Sequence, residues 1–136
     1  MKVIHTDAAT RPRGHYSQGI VHGGTVWVSG QLALDPRNPD APPPEGVAAQ
    51  TRQALANVAA ILEAAGSGLD RALQLTIYLS DIDGWGAVNE VYAGVFGDHR
   101  PARAVIPVGR LPRGFLVEIQ AVGALSGDHE GGDHEG

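Results

Sequence analysis

The stretch that decides the fold runs from Gln50 to Ser80 and reads QTRQALANVAAILEAAGSGLDRALQLTIYLS. In its first half, apolar residues recur three and four positions apart with polar residues between them, which predicts an amphipathic helix. Gly66 follows as the expected C-terminal cap. From Leu73 to Ser80 apolar and polar residues alternate, which predicts a strand. A helix followed directly by a strand indicates a helix that packs on a sheet.

A second helical pattern runs from Asp83 to Phe96, and the other periodic segments alternate as strands do. The predicted strands are Ile20–Val21, Thr25–Gln31, Leu73–Ser80, Ala102–Val108 and Phe115–Leu125, with a weaker one near Val3–His5. The order β-β-β-α-β-α-β-β predicts an α+β fold in which two helices pack on one face of a mixed sheet.

The domain organisation follows from the last ten residues. Residues 127–136 read GDHEGGDHEG, an acidic, histidine-containing repeat that is expected to be a disordered tail behind a single domain of residues 1–126. The repeat holds four of the fifteen acidic residues, so the body carries 11 acidic and 10 basic residues. Because such a body offers no basic surface, neither a nucleic acid nor a membrane is expected as a partner.

The chain has no cysteine, which excludes a disulfide framework, a thiolate zinc site and a thiol nucleophile. Its histidines do not show the spacing of a metal site, so no metal is expected. No run of residues is apolar and long enough to cross a membrane. We therefore expect a soluble, cytoplasmic protein.

The two faces of the predicted sheet differ in character. One set is purely apolar and is expected under the helices: Leu73, Leu75, Ile77 and Leu79, Ala102, Ala104, Ile106 and Val108, and Phe115, Val117, Ile119 and Ala121. The other set mixes Trp27, Tyr78, Val105, Leu116 and Val122 with Ser29, Arg103, Glu118 and Gln120. Two helices cover only one face, so we expect copies of this chain to cover the mixed one.

Arg103 is the sharpest single feature, because a permanently charged guanidinium lies one residue into an apolar strand. A structural interpretation is an ion pair with Glu118 or a strand-end position that reaches water. A functional interpretation is a two-pronged clamp for a substrate carboxylate. Taken alone, Tyr16 and Ser29 are typical of turns, and Asn89 with Tyr92 is typical of helix packing and capping.

Six stretches together resemble the reactive intermediate deaminase family (RidA/YjgF). They are GHYSQG at 14–19, VSGQ at 28–31, the helix at 50–66, VNEVY at 88–92, RPAR at 100–103 and VEIQA at 117–121. The resemblance covers about residues 3–125 in one register. It implies a chorismate-mutase-like fold that assembles as a homotrimer, with a site in each cleft between subunits.

The resemblance also implies an activity, the hydrolytic deamination of small 2-imino acids and enamines to 2-oxo acids and ammonia without a cofactor. Arg103 would pair with the substrate carboxylate, while Tyr16 and Ser29 would line the cleft. Asn89 matches a residue near the site, and the backbone at Val105 would contact the bound acid.

Gln120 is where the chain departs from the pattern of the family it resembles, since many deaminating members carry Glu there. An amide cannot accept the proton, so Gln120 is expected only to position the water, with slower turnover. The alternative is a member of the same family that binds small carboxylates without catalysis. A ribonuclease or chaperone role has also been attached to relatives, and the near-neutral body does not favour it.

Overall fold

Six strands and two α-helices follow one another in the predicted order in a computed structural model that describes residues 1–127. They are β1 (Lys2–Ile4), β2 (Gly19–His22), β3 (Thr25–Leu32), α1 (Val47–Ala64), β4 (Ala72–Leu79), α2 (Trp85–Phe96), β5 (Ala102–Pro107) and β6 (Val117–Ala124). The predicted α+β class is therefore confirmed. Residues 128–136 of the repeat tail lie outside the described residues, so its predicted disorder stays a prediction.

α1 ends as its sequence predicts. Gly66 adopts a φ of 89°, a left-handed conformation that glycine takes without steric cost. Its N–H donates to the carbonyl of Glu63 at 3.1 Å, and the N–H of Ser67 donates to that of Leu62 at 2.8 Å. This pair of bonds is the Schellman motif, and it turns the chain back toward the sheet.

The strands form one sheet in the order β1-β2-β3-β6-β4-β5. All neighbours are antiparallel except β4 and β5, which α2 connects as a parallel pair. Both helices pack on one face, as predicted. The fully buried side chains of that core include Leu55, Val58, Ile61 and Leu62 of α1 and Leu75, Ile77, Val117 and Ile119 of the sheet.

The prediction of which β5 side chains lie under the helices was wrong, since it placed the set that includes Ile106 there and Arg103 and Val105 on the open face. Leu75 of β4 lies opposite Arg103, and Ile77 lies opposite Val105. Paired residues share a face, so Arg103 and Val105 lie on the helix-covered face, whereas Ile106 lies on the open face and is 39% exposed. Alternation shows which residues share a face but not which of the two faces the helices cover. On a short edge strand rich in alanine, the composition of the two faces does not identify the covered one either.

Leu73 also departs from the prediction, at 49% exposed instead of buried. The pairing of β4 with β6 shifts between Ala72 and Gln74, so one extra residue is inserted in β4. Such a bulge reverses the direction of the side chains that precede it. Ala72, which is 1% exposed, therefore takes the core position that alternation assigns to Leu73.

The open face of the sheet has the predicted mixed character. Val3, Ile20, Trp27 and Val122 form one row of paired residues across four strands. Val3 is 60% exposed and Trp27 is 54% exposed, so this row is an apolar surface in the single chain. Tyr78 and Glu118 pair in a more polar part of the same face.

Candidate active site

Arg103 lies on the edge strand β5 and directs its guanidinium toward α2. Its Nη1 donates to Oδ1 of Asn89 at 2.8 Å. The guanidinium carbon lies 4.7 Å from the ring centre of Tyr92 and 5.8 Å from that of Trp85. No carboxylate of residues 1–127 pairs with it, and Glu118 lies on the other face of the sheet, so the ion pair considered above is not formed. The cation is held by neutral groups and remains able to bind an anion.

The cleft beside Arg103 has a volume of about 530 Å³ and runs between α2 and β5. The N–H of Val108 donates to the carbonyl of Leu79 on β4 at 3.0 Å. Successive N–H groups of a strand point in opposite directions, so the N–H of Val105 points to the open edge. Pro107 occupies the same side, where no ladder hydrogen bond is lost. A guanidinium and a backbone N–H are thus available at one strand edge.

Glu118 lies on the opposite face, between the buried residues Val117 and Ile119 of β6. Its carboxylate fits against Gly30, where an added Cβ would lie 2.5 Å from Oε2. Partial burial raises the pKa of Glu118, since the charged form loses hydration. A half-buried carboxylate with a raised pKa in a cleft is typical of a general base.

The VSGQ stretch holds this part of the site in shape. Val28 is buried in the core. The hydroxyl of Ser29 donates to the carbonyl of Ser17 at 2.6 Å, and this bond holds the loop that carries Tyr16. The amide of Gln31 donates to the carbonyls of Ser29 and Gly30 at 3.0 and 3.3 Å, within the bulge where the pairing with β6 shifts. Val28 thus anchors the stretch in the core, Ser29 and Gln31 hold the loop and the bulge, and Gly30 leaves room for the Glu118 carboxylate.

Two cavities meet at Gly30 and Glu118. One, of about 290 Å³, is also lined by Tyr16 and by Arg113, whose backbone has a φ of 57°. The other, of about 360 Å³, is lined by Gln120 among others. Glu118 therefore faces solvent-filled space on both sides, and a water or a small substrate can reach its carboxylate.

Gln120 is less enclosed than Glu118 as a group that could act on a water. It is exposed, and its Oε1 accepts a hydrogen bond from the hydroxyl of Tyr78 at 2.9 Å. The oxygen expected to orient a water therefore already accepts one hydrogen bond and has one further lone pair for a water. Glu118 shares this face but lies two residues from Gln120, the position matched to the family, so the sequence pattern did not favour it. Its contact with Gly30 joins residues far apart in the chain and is visible only in the structure.

The predicted site residues fall into two groups. Arg103 and Asn89 meet in the cleft beside α2, and Val105 lies two residues from Arg103 on the same edge strand. Tyr16 and Ser29 belong instead to the region of Glu118. Because a sheet separates Arg103 from Glu118, one small molecule cannot contact both groups of the same chain.

Replacing Gly30 with alanine is expected to lower kcat at least about 10-fold on whatever reaction Glu118 serves, because the new methyl group displaces the carboxylate and a misplacement near 1 Å is costly. The melting temperature should change little, since the displaced group is the end of a flexible side chain. Gly94→Ala is the matched control, because a Cβ at Gly94 of α2 meets no atom within 4 Å. Equal kcat values for Gly30→Ala and wild type would contradict the importance of this contact.

Neither α1 nor α2 has the combined length and apolar character that a bilayer-spanning helix requires, a statement that covers residues 1–127. Within the same residues, no three His, Asp or Glu side chains are grouped so as to hold a metal ion.

Residues 6–125 match the model of the family described as Endoribonuclease L-PSP. A RutC family protein of Pyrococcus horikoshii is 42% identical, over 89% of this chain and 95% of its own. The 2-iminobutanoate/2-iminopropanoate deaminase of Rattus norvegicus is 41% identical, over 89% of this chain and 88% of its own.

Solved structures agree with the sequence comparisons. The crystal structure of the YjgF gene product of E. coli has a TM-score of 0.86 and 36% identity, and covers 91% of this chain and 98% of its own. That of E. coli TdcF with bound serine has a TM-score of 0.87 and 34% identity, and covers 93% of this chain and all of its own.

Proposed function

The chain belongs to the Endoribonuclease L-PSP family, which includes YjgF and RidA, and we propose that it hydrolyses small 2-imino acids and enamines to 2-oxo acids and ammonia. The observation that carries this proposal is the guanidinium of Arg103, held by neutral partners at an open strand edge. The name of the rat relative, an imine deaminase 41% identical to this chain, supports the same reaction.

In this proposal Arg103 binds the carboxylate of the substrate. A guanidinium offers two parallel donors to the two carboxylate oxygens, and the N–H of Val105 adds a third donor nearby. Asn89 holds Nη1 of Arg103 through its Oδ1. With the carboxylate held at these points, the imine carbon takes one position relative to the attacking water.

We assign the general base to Glu118 rather than to Gln120. Water attacks the electrophilic imine carbon, and Glu118 takes one of its protons as the new C–O bond forms. With the imine nitrogen protonated at the outset, this attack gives a neutral carbinolamine. The protonated Glu118 then gives its proton to the amine nitrogen, the C–N bond breaks and ammonia leaves, and the hydroxyl proton returns to Glu118 as the C=O bond of the 2-oxo acid forms. The raised pKa of Glu118 suits both steps, because a group that titrates nearer the working pH serves as base and then as acid.

A complete site needs two copies of the chain in this proposal, Arg103 from one subunit and Glu118 with Tyr16 from its neighbour. The sheet that separates the two groups within one chain supports this arrangement. So does the apolar row of Val3, Ile20, Trp27 and Val122, in which Val3 and Trp27 are exposed in the single chain, because a contiguous exposed apolar patch is typical of an interaction surface. We propose a homotrimer, as the family resemblance implies.

The family's description names an endoribonuclease, but the surface does not favour RNA as substrate. The exposed arginines at positions 11, 13 and 37 each lie within 4 Å of an aspartate. Three cations paired in this way, on a body with 11 acidic and 10 basic residues, do not favour a basic surface for phosphates.

The test is the decay of 2-iminobutanoate, generated by an amino-acid oxidase and trapped by semicarbazide. Wild type is expected to lower the trapped imine, and Arg103→Ala to raise KM about 10- to 100-fold, the effect of losing hydrogen bonds to a charged group. Arg37→Ala, a change to a 92% exposed side chain, is the control. If wild type leaves the imine unchanged, yet 2-oxobutanoate raises its melting temperature and not that of Arg103→Ala, the chain is the non-catalytic carboxylate binder instead.

A further inference from the structure

The Arg103 guanidinium lies over the ring of Tyr92, one turn after Asn89 on α2, and closer to it than to the ring of Trp85. The ring centre of Tyr92 lies 4.7 Å from the guanidinium carbon, within the range of a cation–π interaction. Tyr92 is 7% exposed, so its ring is a fixed wall of the cleft rather than a mobile surface group. The ring of Phe96 packs on it from the next turn at 4.5 Å between centres.

In the part of the chain that the structure describes, the hydroxyl of Tyr92 makes no interaction that would require a tyrosine at this position. It is buried and makes no hydrogen bond within residues 1–127. Burial raises the pKa of Tyr92, and the nearby charge of Arg103 only lowers it in part, so the side chain stays a neutral phenol near neutral pH. Tyr92 therefore acts on Arg103 through the face of its ring and not through a phenolate charge.

We propose that Tyr92 is a positioning residue for the deaminase reaction: its ring, together with Oδ1 of Asn89, holds the Arg103 guanidinium in the orientation that receives the substrate carboxylate. The inference rests on the function proposed above. An arginine side chain loses conformational entropy when it binds a ligand, and one already held on two sides loses less of it. Tyr92 does not touch the reacting atoms, so its effect falls on substrate affinity.

Two substitutions separate the ring from the hydroxyl. Tyr92→Leu keeps an apolar side chain but removes the ring, and it is expected to raise KM for 2-iminobutanoate and Kd for 2-oxobutanoate about 5-fold with kcat unchanged. Tyr92→Phe keeps the ring and is expected to leave KM and Kd at wild-type values. Its melting temperature should be equal or higher, because an unsatisfied buried hydroxyl is removed.

Val88→Ala is the matched control for lost packing, since Val88 is a buried residue of the same helix and supplies neither the hydrogen bond nor the ring contacts that hold Arg103. It should lower the melting temperature without changing KM. The inference would be overturned if Tyr92→Leu kept the wild-type KM and Kd. It would also be overturned if Tyr92→Phe raised KM and Kd as much as Tyr92→Leu does. If wild type neither binds the acid nor hydrolyses the imine, the proposed function fails, and this inference fails with it.

Discussion

Replacing Glu118 with glutamine is expected to lower kcat for 2-iminobutanoate by about 10²- to 10⁴-fold, the usual contribution of a general base. Glutamine has the shape of glutamate but cannot take a proton from the attacking water. The fit against Gly30 is kept, so the melting temperature and the Kd of 2-oxobutanoate should stay close to wild type. Initial rates of imine loss, measured with ligand-induced thermal shifts, test both parts of this expectation.

The pH dependence of kcat/KM is a second test of Glu118 as the general base. Only the deprotonated form of Glu118 accepts a proton, so kcat/KM should rise as the pH passes through its pKa. Burial raises that pKa, so the rise is expected at a higher pH than an exposed glutamate would give. The residual rate of Glu118→Gln should lack this rise. A rise at the same pH in both proteins would assign it to another group.

Gln120→Ala is the informative comparison for Glu118→Gln, because the two residues lie on the same face two positions apart. The amide oxygen of Gln120 is bound by Tyr78, so its loss is expected to change kcat less than about 10-fold. If instead Gln120→Ala is inactive and Glu118→Gln is not, water positioning belongs to Gln120 and the assignment of Glu118 is wrong.

At substrate concentrations below the wild-type KM, mixing subunits of Arg103→Ala and Glu118→Gln is expected to restore activity that each variant alone has largely lost. If each site takes Arg103 from one subunit and Glu118 from the next, random mixing in equal amounts leaves about a quarter of the sites with both groups intact. About a quarter of the wild-type rate should therefore return after the two chains are unfolded and refolded together.

The control for this experiment is each variant refolded alone and then combined without exchange. A mixed sample no more active than that control would mean that both groups act within one chain, contrary to the two-copy site. Native mass spectrometry of the wild type gives the number of copies, and three is the expected result. A stable monomer would contradict the proposal that neighbouring copies cover the apolar row that includes Trp27.

Much of the fold was predictable because it depends on near neighbours in the chain. The change from helical to alternating periodicity between Gln50 and Ser80 locates α1 and β4, and Gly66 ends the helix by its own backbone preference. The apolar set of β6, from Val117 to Ala121, lies under the helices as predicted. Arg103 also stands out in sequence, since a permanent charge in an apolar strand requires an explanation.

The surroundings of those residues were decided by the tertiary structure alone. The register of β4 with β5 placed Arg103 beside Asn89 and Tyr92, and the bulge in β3 allowed Glu118 to approach Gly30. Periodicity describes a strand by itself, whereas pairing register and bulges are properties of two strands. The sequence by itself therefore determined the elements and singled out the arginine, and only their packing decided which ring lies beside that arginine, which carboxylate lies against Gly30 and which face of the sheet each of them occupies.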